Sequence, residues 1–233
     1  MSWEYDHTDR VLNEDFLVRA KPGGLSRRVY NLLIGGIVTA SLVIIGLMYA
    51  YFDTVPGAMN FMLDPAVCIG CIILPFVGIL VMFIGKGRDS IPMMIVGYSI
   101  MTLTLGLPVA WASAEYTALS VLNAVVATAV ITATFATLGF IRPDIFRRLY
   151  VVCFWGLTAM IIIELIMLLF GVHHTWQDWV VIAIFCGFIG RDFYNAANDE
   201  PTVDNAIIYA CDIFLDIVNV FLRILNIAGE RKR

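Results

Sequence analysis

The sequence predicts an all-α, polytopic membrane protein, a bundle of seven transmembrane helices with the last helix at its centre. Three observations predict it: the composition, a series of apolar runs of bilayer length, and a polar stripe along the final run. The chain has 233 residues, of which 60% are hydrophobic and 15% charged, with a mean hydropathy of +0.85. A soluble domain is roughly half apolar and a quarter charged. The formal net charge of −4 comes with no basic domain or stripe, so the lipid bilayer is an expected partner and nucleic acid is not.

A helix needs about 20 apolar residues to cross some 30 Å of hydrocarbon. Five runs meet this plainly: Val29–Phe52, Pro65–Ile84, Ile91–Ala112, Ala118–Phe140 and Leu149–Phe170. Pro75 and Pro108 fall inside spans, where bundle packing tolerates them. Glu164, near the outer end of the fifth run, is its one acid and is expected to reach outer water or a bundle neighbour. The sixth run is short. Only twelve uncharged residues separate Asp178 from Arg191, or about 18 Å of helix. To cross, it must carry either Asp178 or the Arg191-Asp192 pair into the bilayer. Trp176 and Trp179 resemble an interface anchor, so Asp192 is the expected intruder.

The seventh run, Asn205–Ala228, carries Asp212, Asp216, Asn219, Arg223 and Asn226. Their spacing of 4, 3, 4 and 3 places all five on one helical face. Such a stripe cannot face lipid, which is why this helix is expected at the centre. A charged residue at mid-bilayer costs roughly 2.5–3.5 kcal/mol on insertion scales. Asp192 and Asp216 are therefore the first candidates for a functional site.

Basic residues set the expected orientation. With the N-terminus inside, the inner segments carry Arg10, Arg19, Lys21, Arg27, Arg28, Lys86, Arg88, Arg142, Arg147, Arg148 and Arg191, whereas loops 53–64, 113–117 and 171–178 carry no Lys or Arg. A cytoplasmic N-terminus follows. The tail Arg231-Lys232-Arg233 runs against the rule. Either the rule yields, giving seven crossings, or the seventh segment is re-entrant and returns the tail inside; seven crossings are expected.

Residues 1–25 read as a polar cytoplasmic arm ending in Lys21-Pro22-Gly23-Gly24, and residues 26–233 as the membrane domain. No stretch reads as a cleavable signal peptide, because the first 28 residues are polar and the run after them is too long. Cys68 and Cys71 have the spacing of a redox or metal pair, yet they lie in an apolar run without a second pair or a nearby His, so packing is their expected role. His173, His174 and Asp178 are expected to be a solvated loop rather than a metal site.

The stretch from Ile207 to Leu225, with Leu215-Asp216 followed by Phe221-Leu222, resembles the last helix of the Bax inhibitor-1 family. Arg28-Val29-Tyr30-Asn31-Leu32-Leu33 is similar to that family's first helix. The resemblance covers about residues 25–228 in hydropathy and is specific in the last forty. It implies that Asp192, at the inner end of the sixth helix, pairs with Asp216; here Arg191-Asp192 replaces the usual Tyr-Asp. It also implies a cation at the inner end of the second helix, either Arg88, with its bidentate guanidinium, or Lys86, with Arg191 adding a local charge.

The activity implied is a passive, pH-sensitive Ca²⁺ leak, with no cofactor and no enzymatic step. Asp192 and Asp216 would share one proton as a coupled pair and latch the sixth helix to the seventh; without it they would meet Ca²⁺ transiently. Asp212, Asn219 and Arg223 would line the path, the oxygen groups being of the kind Ca²⁺ prefers. The alternative implied by the family is a regulatory protein that binds a membrane-protein partner, such as a protease or a cell-death factor, without transport. An intramembrane aspartyl protease is not expected, since Gly190-Arg191-Asp192 and Leu215-Asp216 fit neither of that class's motifs. Short loops favour a bacterial inner membrane.

Overall fold

The computed structural model describes residues 24–171 and 175–232. All but the last two residues of the N-terminal arm lie outside these, as do His173 and His174. Among the described residues seven long helices follow in order: α1 Arg27–Thr54, α2 Pro65–Gly87, α3 Ile91–Ala114, α4 Ala118–Ile141, α5 Pro143–Leu169, α6 Thr175–Asn198 and α7 Val203–Ala228. A short 3-10 turn, Ala58–Leu63, bridges α1 and α2. Six of the seven, α1 to α6, are long and apolar enough to cross a membrane. The chain is an all-helical, integral multi-pass membrane protein. The fifth expected run begins six residues early, at Pro143, because the charged first turns of α5 are exposed and need no lipid.

Local chemistry sets the helix ends. The Ser26 hydroxyl accepts from Val29 N at 3.3 Å and the Asp64 carboxylate from Ala66 N at 2.8 Å; Thr117 and Thr202 cap α4 and α7 in the same way. Each supplies an acceptor to an otherwise unpaired amide of the first turn. Pro65 opens α2, where its missing N–H costs nothing.

The apolar pattern is inverted relative to a soluble protein. Leu32, Phe76, Leu119 and Trp155 are each more than 60% exposed, as lipid-facing side chains should be. The core is a narrower seam. On α1 it is Tyr30, Ile34, Val38, Ser41 and Ile45, a helical stripe of steps 4, 4, 3 and 4. This stripe meets Met94, Tyr98 and Met101 of α3 and Ala206, Ala210, Ile213 and Phe214 of α7. The Ser41 and Tyr98 hydroxyls bond to each other at 2.7 Å inside the seam.

Helices α2 and α3 form a tight antiparallel pair. A Cβ on Gly78 would stand 2.6 Å from Gly97 O, and one on Gly97 2.4 Å from Met82 N, so neither position can carry a side chain. Helix α7 packs against α1, α3, α4 and α6. It begins beside the start of α1, where Leu25 N donates to Pro201 O at 2.7 Å. It ends at the opposite face of the bundle, beside loops 53–64 and 115–117. There Thr117 N donates to Glu230 O at 2.9 Å, Lys232 N donates to Glu115 O at 2.8 Å, and the Lys232 ammonium pairs with Asp53. The last segment is thus one unbroken helix.

Candidate functional site

The polar stripe of α7 divides between two clusters, one at each end of the bundle. The near cluster lies by the α6–α7 turn. That turn occupies residues 199–202. Counting outward from it sets Asp192 of α6 level with Tyr209 of α7, Asp212 about one turn deeper, and Asp216 a further ~6 Å in. The observed cavity agrees. It has a volume of about 160 Å³ and is lined by Lys86, Arg191, Asp192, Asn195, Asp199, Asn205, Ile208, Tyr209 and Asp212. The sequence reading joined Asp192 to Asp216; in the structure Asp192 and Asp212 line this cavity, and Asp216, deeper along α7, lies within electrostatic reach of both.

Arg191 is half-buried and held twice. Its Nη1 donates to Asp192 Oδ1 at 3.0 Å, and its guanidinium lies over the Tyr150 ring of α5, 3.7 Å from the centroid. Of the two cations expected from α2, Lys86 is the one on this cavity, its Nζ donating to Asn205 Oδ1 at 3.0 Å. Arg88 follows the end of α2, is exposed, and does not line it. Tyr209, which sequence reasoning did not single out, shapes the wall: its hydroxyl donates to Asp199 Oδ2 at 2.8 Å, and both residues line the cavity.

Asp192 and Asp216 are both buried, at 6% and 5% exposure, and Asp216 Oδ2 has no hydrogen-bond partner. No hydrogen bond joins the two among the described residues. Asn219 does not serve Asp216 either, because its Nδ2 donates to Leu215 O at 2.8 Å. A carboxylate oxygen so placed needs a proton or a cation to offset lost hydration. No three His, Cys, Asp or Glu side chains converge as a metal cage among the described residues.

The far cluster carries the other half of the stripe. Arg223 stands 2.7 Å from Glu164 Oε1 of α5 and 3.0 Å from Asp178 Oδ1 of α6, and its Nη2 donates to Glu164 Oε2 at 2.8 Å. Asn226 Nδ2 donates to Asp178 Oδ2 at 3.3 Å, and the Tyr116 hydroxyl donates to Asn226 Oδ1 at 3.2 Å. Glu164 thus reaches a bundle neighbour. Asp178, expected to stay outside while Asp192 entered, is itself only 1% exposed. Short α6 buries an acid at each end, and each has its own arginine.

The sequence profile of the family described as Inhibitor of apoptosis-promoting Bax1 matches residues 23–233. No curated protein matches the chain. The profile spans all seven helices and both charged clusters, and the chain belongs to the Bax inhibitor-1 family.

Proposed function

We propose that the chain is a passive cation leak with Ca²⁺ as the permeating ion, in which α7 is the seventh and central span and lines the path. The observation that carries this reading is Asp216 Oδ2, buried in the bundle without a partner. It lies between a carboxylate-walled cavity at one end and an ion-pair closure at the other.

The charge arithmetic supports a cation. Asp192, Asp199, Asp212 and Asp216 place four carboxylates near Arg191 and Lys86. When all are ionised, two negative charges are left over. Protons offset them and hold α6 against α7; a divalent cation offsets them as an ion in transit, through the hard oxygen ligands it prefers. Because protons and the cation compete for this excess charge, flux should fall as the pH is lowered. At the far end Arg223, bridging Glu164 and Asp178, occupies the place a leaving cation would need, so opening requires this bridge to part. The continuity of α7 from one end of the bundle to the other supports seven crossings, and the basic residues of the near-end segments support a cytoplasmic N-terminus.

The test is Ca²⁺ flux into liposomes containing purified protein across a pH series, with Asp192→Asn, Asp212→Asn and Asp216→Asn. The expected result is flux above that of empty liposomes, with a pH response flattened in each variant. Flux equal to that of empty liposomes sinks the leak, and an unchanged pH response in all three variants sinks the carboxylate gate.

A further inference from the structure

A large cavity lies away from both charged clusters. It has a volume of about 740 Å³ and runs between α1 and α4, with α7 as its floor. Its lining on α1 extends from Asn31 to Tyr49, about 27 Å of helix, close to the ~30 Å depth of the hydrocarbon. Its walls are almost wholly apolar, and none of Asp192, Asp212 or Asp216 lines it.

Two glycines widen this groove. A Cβ built on Gly35 or on Gly46, both lining residues, would meet nothing within 4 Å among the described residues. Gly78, Gly97 and Gly139, by contrast, each face a neighbouring backbone closer than 3 Å. Glycine is a poor helix former, and at Gly35 and Gly46 it leaves the groove free of side chains.

Two arginines stand at the near end of the groove without lining it. Arg27 Nη1 donates to Ala196 O at 3.4 Å, on a residue that lines the groove. Arg28 precedes Asn31 by one turn on the helical row that continues through Gly35, Leu42 and Gly46. It is exposed and has no ion pair among the described residues. The N-terminus of α1 adds the positive end of its dipole. An apolar groove ending at two arginines matches a hydrocarbon chain ending in a phosphate, and basic pockets between membrane helices take anionic headgroups. The size matches as well: cavities of roughly 300–1,000 Å³ hold small ligands, whereas a specific protein interface needs about 800 Å² of contact on each side.

We propose that this groove binds one anionic phospholipid, with an acyl chain lying between α1 and α4 on α7 and the phosphate held by Arg27 and Arg28. The proposal is independent of the cation-leak reading. It is tested by native mass spectrometry of the detergent-solubilised chain titrated with dioleoyl phosphatidylglycerol or dioleoyl phosphatidylcholine, which share their chains and differ in charge. One phosphatidylglycerol per chain should bind saturably and more tightly than phosphatidylcholine. Arg28→Gln should weaken phosphatidylglycerol roughly fivefold and leave phosphatidylcholine unchanged. Gly35→Leu and Gly46→Leu should abolish saturable binding of both. Gly36→Leu, whose Cβ also meets nothing within 4 Å but which does not line the groove, should bind as the parent does. Equal affinity for the two lipids in the parent overturns the proposal. So does a Gly35→Leu protein of unchanged circular dichroism that retains phosphatidylglycerol, or one that behaves like Gly36→Leu. Loss of a dimer on Gly35→Leu would overturn it in favour of a second copy covering the groove.

Discussion

Arg223 of α7 and Asp178 of α6 meet at 3.0 Å, with the carboxylate 1% exposed and the guanidinium 22% exposed. This contact ties the end of one helix to the start of the other, and Glu164 brings in α5 on the same guanidinium at 2.7 Å. Two carboxylates thus share one cation in a region with little water. Removing the arginine leaves both uncompensated, and breaking a buried pair by deleting one partner typically costs about 3–5 kcal/mol. Arg223→Gln should therefore lower the melting temperature markedly. Adding Asp178→Asn to Arg223→Gln should recover part of the loss, because the more deeply buried of the two stranded charges goes with it. A double-mutant cycle on thermal unfolding in detergent measures the coupling, and additive losses would mean that the pair is not energetically joined. If the cluster also closes a cation path, Arg223→Gln liposomes should leak more than the parent at every pH.

Lys86 and Arg88 separate as cleanly. The Lys86 ammonium reaches Asn205 at 3.0 Å and lines the carboxylate cavity, whereas Arg88 is exposed beyond the end of α2. Lys86→Gln adds one uncompensated negative charge to the cavity and should raise Ca²⁺ flux while making it more sensitive to pH. Arg88→Gln should change neither, and its effect on stability should stay within about 0.5 kcal/mol, as for other surface substitutions. Paired flux measurements on the two variants check this. A larger effect from Arg88→Gln would return the counter-cation role to it.

How legible the site was depended on which quantity the sequence encodes. The 4-3-4-3 spacing from Asp212 to Asn226 gives direction around a helix, and the structure buries Asp216 and half-buries Asp212, Asn219 and Arg223, while Asn226 at the end is exposed. Depth is a different matter, since it depends on where the α6–α7 turn lies. Asn198 to Pro201 is turn chemistry in plain view, and taking it as the centre sets Asp178 level with Arg223 and Asp192 level with Tyr209. Placing the centre near residue 204 instead would shift Asp216 by about two helical turns relative to α6. The Arg223–Glu164 contact was less accessible, because it depends on how α5 packs against α6, and lipid-facing apolar residues carry little information about which helix neighbours which. Lys86 over Arg88 is likewise a matter of rotation about α2, whose nearly uniform apolarity sets no preferred face.

The crossing of α4 and α6 positions the near cluster, and it depends on a pair of glycines. A Cβ on Gly139 would stand 2.0 Å from Gly190 O, and one on Gly190 would lie 2.2 Å from the Phe146 ring. Gly190 directly precedes Arg191 and Asp192. Gly139→Ala must push α4 from α6, an overpacking of the kind that costs about 1–3 kcal/mol, and it should shift the Arg191 guanidinium off the Tyr150 ring. The expected result is a lower melting temperature together with an altered pH response of flux, although no charged group has changed. Gly87→Ala, where nothing lies within 4 Å, is the matched control. Equal behaviour of the two alanine variants would remove the glycine contact from the account.

The C-terminal tail shows what holds Arg231 and Lys232 at the end of the bundle whose loops lack basic residues. Lys232 is paired with Asp53 of the α1–α2 connection, and the Arg231 guanidinium lies 5.6 Å from the Tyr116 ring centroid. The tail backbone is also bonded, to Thr117 N and Glu115 O at 2.9 and 2.8 Å, so it ties the far-end loops together beside Asn226 and Arg223. Deleting residues 230–233 removes both backbone bonds, and each net bond contributes about 0.5–1.5 kcal/mol. Amide exchange at residues 115–117 should therefore quicken, with protection at the near end of α7 unchanged. Asp53→Asn should have a smaller effect, because an exposed ion pair is worth about 0–1 kcal/mol. Hydrogen-exchange mass spectrometry of the two variants distinguishes a tail held by its backbone from one held by its charges. Equal loosening in both would assign the tether to the Lys232–Asp53 pair instead.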